Sequence, residues 1–260
     1  MKQPDCHFTY QDAEHHLALA FVEGTLPGEA FVFGQPQEEQ AIFINDFFIS
    51  KHLVTQALWK HIMGDERNRS ANPGNDNPVE HVSWHDVAGK NGFIEKLNKS
   101  NLREQVTAQL PGGIAARFRL PTETGWEYAA RGGRHWRDNY LFGGSNNPDE
   151  VAWYLENSEN HTWPVGLKKP NQLGLYDMNG NLWEWCQDWF IRDTAMIPKN
   201  GGPYRQPTRD KVLRGGCHHN MPIHCTNTKR YEIPPDSFDG CIGFRLALQI
   251  GPVNLMTHYD

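Results

Sequence analysis

Residues 212–245, VLRGGCHHNMPIHCTNTKRYEIPPDSFDGCIGFR, gather His218, His219 and His224, Cys217, Cys225 and Cys241, Tyr231 and the adjacent Pro234 and Pro235. Imidazoles and thiolates are the ligands that soft and borderline metals select. Two chemistries are open here. One is a metal site, zinc or iron, built from His218, His219, His224 and Cys225. The other is a binding surface, because rings, imidazoles and amides sit in a Gly- and Pro-punctuated stretch with no periodicity to bury them. The Cys and His spacing fits no familiar metal pattern.

A second candidate is Asp177-Met178-Asn179-Gly180-Asn181-Leu182-Trp183-Glu184. Two carboxylates bracket a tight turn whose carbonyls can point inward, and Ca2+ takes about six to eight oxygens at flexible distances. The plainer alternative is that Asp177 and Glu184 bond backbone amides of an irregular loop. Trp183, Trp185 and Trp189 read as core anchors, since indoles bury large areas under loops. Cys186 beside them reads as an inert buried thiol.

The elements that must carry these groups are partly legible. Residues 17–49 alternate apolar and polar side chains and predict short strands, one over 41–49. Thr55 caps a helix that Gly64 ends. Ser83, with Asp86 three residues on, caps a second helix running to about Leu97. Residues 98–116 read as a linker or insertion around Pro111-Gly112-Gly113. Thr122 caps a third, short helix stopped by Gly132-Gly133. From about residue 134 onward helical periodicity vanishes, so loops and a few strands are expected. No linker divides the apolar residues into two sets, which predicts one domain over 1–260.

The chain has 260 residues, a net charge of −6, nine Trp, 24 Gly and 17 Pro. That length can bury a proper core, and the Trp, Gly and Pro content suits a loop-rich fold pinned by aromatic anchors. The charge balance argues against nucleic acid as a partner and offers no basic patch for a membrane. The start, MKQPDCHFTYQDAEHH, lacks an apolar run after a basic residue, so no leader is expected. An odd set of five cysteines without a leader predicts reduced thiols and a cytoplasmic location.

Six segments together resemble one family: FFISKHLVTQALW (47–59), NPVEHVSWHDV (77–87), FRLPTETGWEYAARGG (118–133), NQLGLYDMNGNLWEWCQDWF (171–190), VLRGG (212–216) and IGFRLA (242–247). They are similar to the formylglycine-generating enzyme, or sulfatase-modifying factor, family over roughly 17–248, leaving 1–16 and 249–260 as extensions. The resemblance implies an α+β, C-type lectin-like fold: a small twisted antiparallel sheet, two main helices and much irregular chain. It implies Ca2+ at Asp177, Glu184 and the carbonyls of Gly180 and Leu182, and a looser second calcium site near Trp153, Tyr154 and Asn157. At Gly125 the family usually carries Glu.

The family spans copper oxidases, sulfoxide synthases and non-catalytic binding proteins, some of them diversified by retroelements. The oxidases hold Cu(I) between two cysteines. Their first ligand position falls here on Asn220 and their second on Cys225, so the pair is broken, and copper is not the expected cofactor. The synthases draw iron-binding histidines from an added helical bundle, for which the chain has no room before Phe21. The diversified members carry Cys and Arg after RGG at the spacing of Cys225 and Arg230. Many residues between are reachable from Asn codons by changing adenines, although Met221, Lys229 and Glu232 are not. The expectation is thus a calcium-braced binding protein, without catalytic residues, that takes a protein or peptide ligand. Its contacts would be His218, His219, Asn220, His224, Asn227, Tyr231, Phe238 and Asp239. The alternative is a metal-dependent oxidase with a site rebuilt on Cys217 and Cys225.

Overall fold

Alternation along the first strands decides the architecture. The computed structural model describes residues 6–9, 16–110 and 114–252. After β1 (Cys6–Thr9), β2 (His16–Val22) sends Leu17, Leu19 and Phe21 into one apolar core and Ala20 and Val22 into another. Beyond the hairpin of β3 (Phe31–Phe33) and β4 (Gln40–Ile42), β5 (Phe47–Ser50) does the same, with Phe48 on one side and Phe47 and Ile49 on the other. Successive strand side chains point to opposite faces, so this sheet is a wall between two cores. It is completed by β6 (Ile114–Arg119) and the last strand, Ala247–Pro252, in the order β1-β2-β5-last-β6, all antiparallel. Residues 249–252 are therefore sheet and not an appended tail.

The caps fall where the sequence places them. Thr55 accepts from the Leu58 amide at the start of α1 (Gln56–Met63), and the chain turns at Gly64 with φ of +95°. Ser83 and Asp86 form a reciprocal capping box at α2 (Trp84–Ala88). The helix expected to reach Leu97 breaks after Ala88. Asn91 takes φ of +59°, and a new helix, α3 (Phe93–Lys99), starts after Gly92. The expected linker is largely regular too: Leu102 and Val106 of α4 (Asn101–Gln109) are buried four residues apart against the first core. Pro111, Gly112 and Gly113 lie outside the described residues, as do His15 and the side chain of His16. The expected strand over 41–49 is β4 and β5, separated where Asp46 accepts from the Gly24 amide.

Thr122 caps α5 (Glu123–Ala130) through the Gly125 amide at 3.1 Å, so the cap survives without the reciprocal Glu. The one-turn α6 (Pro148–Val151) leads into β7 (Ala152–Trp153), which pairs with β8 (Asn179–Gly180). A four-stranded sheet follows from β9 (Trp183–Trp189), β10 (Lys211–Arg214), β11 (Arg230–Ile233) and β12 (Ile242–Gly243), ordered β11-β10-β9-β12. The last strand, β13, is the Ala247–Pro252 segment already placed in the first sheet. The fold is the expected α+β, C-type lectin-like one; among the described residues it comprises a five-stranded and a four-stranded sheet, two short strand pairs, and five α-helices of five or more residues. Trp185 is buried with its indole N–H on the Val82 carbonyl, and Cys186 is buried beside it with its thiol pushed up by burial, as anchors and an inert thiol should be.

Candidate functional site

The chemistry-bearing stretch begins where β10 leaves the sheet. Gly215 and Gly216 both adopt positive φ, +96° and +77°, a region glycine enters without steric cost, and a Cβ on Gly216 would lie 2.5 Å from the Cys225 sulfur. The turn delivers Cys217 and His218 inward. The His218 amide donates to the Asn181 carbonyl at 3.0 Å, its Nδ1 meets the same carbonyl at 2.9 Å, and Ser158 Oγ donates to the His218 carbonyl at 2.8 Å. Burial lowers the imidazole pKa and keeps it neutral.

Two expected ligand contacts are therefore corrected. His218 is 4 % exposed and Asn227 1 %. Asn227 is part of the frame: its side-chain Nδ2 donates to the Tyr140 carbonyl, its side-chain oxygen accepts from Asn179 and its carbonyl accepts from Arg214. Asn220 is half-buried, and its Oδ1 accepts from the Cys217 amide at 2.9 Å, closing its own loop. His219, His224, Tyr231, Phe238 and Asp239 are exposed. Met221 and Ile223, 54 % and 67 % exposed, join them. The sequence reading passed over these two because apolar residues are assigned to cores by default. Tyr231 is held by stacking on Trp183, ring centroids 5.2 Å apart, and the Arg69 guanidinium lies 4.7 Å over Phe238.

The sulfurs regroup. Cys217 Sγ lies 2.7 Å from Cys241 Sγ, and the Cys225 thiol faces the Cys217 carbonyl at 3.9 Å. Cys217 with Cys225 is thus not the pair that the fold joins. The Cys217 pKa is raised by its hydrogen bond to Cys241 and then by burial, and burial pushes Cys225 up to about 12.

Two buried charge networks hold this segment, and the sequence reading missed both. Glu123 and Glu127 share one face of α5. Glu123 receives Arg230 through two bonds of 2.6 and 2.8 Å, and Glu127 receives Arg214 at 2.5 Å. Their four-residue spacing was the available signal. The second network joins Glu184 to Arg245 at 2.7 and 2.9 Å and to the Trp126 indole at 2.8 Å.

The expected calcium donors divide on this geometry. Asp177, Gly180, Leu182 and Glu184 are all buried. Glu184 brings a carboxylate already neutralised by a guanidinium. Asp177 Oδ2 accepts from the Gly166 amide at 2.8 Å, while buried Oδ1 has no hydrogen-bond partner among the described residues. Burial raises the Asp177 pKa to about 6, against the pull of Gly166 and Arg245. An orphaned buried carboxylate oxygen fits a cation ligand.

The family of sulfatase-modifying factor enzyme 1-like domains matches residues 23–250. The chain is 36% identical over 210 residues to the chaperone protein LppX of Paenibacillus barcinonensis, covering 63% of this chain and 71% of that one. It is 31% identical over 210 residues to the formylglycine-generating enzyme of Streptomyces coelicolor, covering 75% of this chain and 59% of the enzyme. Among solved structures, Treponema denticola variable protein 1 superposes with a TM-score of 0.76 at 26% identity, over 94% of this chain and 99% of that one. PvdO from Pseudomonas aeruginosa gives the same TM-score at 21% identity, over 96% of this chain and 100% of that one, which speaks for the fold alone.

Proposed function

The chain belongs to the sulfatase-modifying factor enzyme 1-like family, and from that premise we propose that it is a non-catalytic binding protein for a protein or peptide ligand. The observation that carries this reading is the exposure of Met221, Ile223, Tyr231 and Phe238 on a segment whose backbone is tied down by buried ion pairs. Exposed apolar and aromatic groups on a rigid frame bind with little loss of conformational freedom. One relative is named a chaperone protein and one structural neighbour a variable protein, which agrees with a protein partner. Retroelement diversification of residues 212–245 belongs to the same reading, and a flanking reverse transcriptase gene with an imperfect repeat of that segment would establish it. A reducing, cytoplasmic setting also belongs to it. No helix among the described residues is long and apolar enough to cross a membrane. The functional test is capture of a partner by the wild type and its loss in surface variants that keep their fold.

An oxidase of the formylglycine-generating kind is the competing reading, since the chain spans 59% of a curated enzyme at 31% identity. Asn220 offers a neutral amide where a thiolate is needed, and its oxygen is already bonded to the Cys217 amide. With Cu(I) and oxygen, a Cys-x-Pro-x-Arg peptide is expected to yield no hydrazide-reactive aldehyde. Aldehyde formation by the wild type that vanishes in Cys225→Ser would reverse this assignment.

Calcium at Asp177 is part of the proposal. Without the ion, a raised carboxylate pKa stabilises the fold below the unfolded-state pKa, and that contribution is lost as pH rises through about 6. Chelator is therefore expected to lower the melting temperature of the wild type at pH 7. Asp177→Asn is expected to abolish the calcium response and to flatten the metal-free stability profile between about pH 4 and 6. Indifference of wild-type melting to both Ca2+ and EDTA would remove the ion from this reading.

A further inference from the structure

The base of the exposed segment collects soft donors apart from the calcium donors and from the apolar and aromatic side chains, Met221, Ile223, Tyr231 and Phe238, that carry the proposed binding. Cys217 Sγ, Cys241 Sγ and a ring nitrogen of His218 all lie within 4.8 Å of one another. His219 is the next group in: its Nδ1 is 3.6 Å from the Cys241 sulfur and its ring is 4.2 Å from that of His218. The Asn181 carbonyl at His218 Nδ1 can only accept, so Nδ1 carries the proton and Nε2 keeps its lone pair. A backbone carbonyl on one ring nitrogen is the usual way of fixing a metal-binding histidine.

We propose that Cys217, Cys241 and His218, with His219 closing the fourth position, bind one thiophilic d10 cation of the Zn2+ class. A tetrahedral site with ordinary Zn–S and Zn–N bonds separates sulfur from nitrogen by about 3.6 Å and sulfur from sulfur by about 3.8 Å. The Cys241–His219 separation already has the first span. The two sulfurs stand at 2.7 Å and open by about 1 Å to admit the ion. Binding is balanced as one divalent cation taken up and two thiol protons released, with no change of oxidation state. Cys241 and His219 reach the surface and leave an entry path. Cys225 takes no part, because its thiol faces the Cys217 carbonyl. The site lies across the ends of residues 217–241, so the ion would clamp the segment that carries the exposed side chains.

The test uses the reduced, metal-free full chain titrated with Co2+ as the visible probe and Zn2+ as competitor. One equivalent of Co2+ is expected to give a sulfur-to-cobalt charge-transfer band with tetrahedral d–d absorption, and Zn2+ is expected to erase both. Cys217→Ser, Cys241→Ser and His218→Ala should each weaken Zn2+ binding by at least about 10-fold, while Cys225→Ser leaves it unchanged. Near-ultraviolet dichroism of each metal-free variant checks that the fold is retained. Cys241 is partly exposed, which makes Cys241→Ser the variant to rely on if Cys217→Ser does not fold. The proposal is overturned if no charge-transfer band appears at one equivalent, or if Cys225→Ser removes it. It is equally overturned if protein isolated under non-reducing conditions carries a Cys217–Cys241 disulfide in peptide mapping.

Discussion

Arg245→Met is expected to lower stability by about 3–5 kcal/mol, because it strands Glu184 as a buried charge without its counter-ion. Arg245 is fully buried and joins three parts of the chain. It donates to both Glu184 oxygens, to the Ser50 carbonyl at 3.1 Å at the end of β5, and to the Tyr176 carbonyl at 2.9 Å ahead of β8. Its removal leaves those carbonyls unpaired as well, each a further cost. In a chain of this size the loss corresponds to a melting temperature lower by roughly 6–20 °C. The double variant Arg245→Met with Glu184→Gln should recover part of that loss, since the stranded charge is gone while the carbonyls stay unpaired. A single-variant loss below about 1 kcal/mol by urea titration would mean that the pair does not brace the fold.

The limits of the sequence are visible in the same residues. Thr55, Ser83 and Thr122 announce their helices because a cap bonds an amide two or three residues away. The break between α2 and α3 was legible, because Gly89 ends α2, Asn91-Gly92 is a breaker dipeptide and Gly92 starts α3, but Val87 and Ile94 seven residues apart suggest one continuous helical face. α4 was hidden by its polar surface, its Leu102 and Val106 too sparse to mark a face. In the candidate site, the exposed set was legible as composition and the buried set was not. His218 reads as a surface residue in a Gly-flanked stretch until Asn181 and Ser158 cover it. Cys217 meets Cys241 across 24 residues of irregular chain, a contact no local spacing encodes. The Glu123–Glu127 face could have been noticed, but its partners, Arg214 and Arg230, lie about ninety and a hundred residues on.

Tyr231→Ala is expected to weaken partner binding by about 30-fold or more, the effect of losing a central aromatic anchor worth about 2 kcal/mol. Tyr231 is 46 % exposed and its ring is already fixed on Trp183, so little freedom is lost when a partner covers it. The folded state loses that stack, at about 0.5–1.5 kcal/mol, and the variant should remain folded. Met221→Ala and Ile223→Ala touch more exposed side chains and should change stability by no more than about 0.5 kcal/mol. Their binding losses then report contact alone. Phe238→Ala removes a ring that the Arg69 guanidinium covers on one face, so Arg69→Ala should reproduce part of the loss. Calorimetry against a partner recovered with the wild type, with thermal melting of each variant alongside, checks all five. If the partner binds every variant equally while residues of α1–α3 prove necessary, the binding face lies elsewhere. Residues 217–241 would then be scaffold, and the exposed aromatic and apolar groups would need a different explanation.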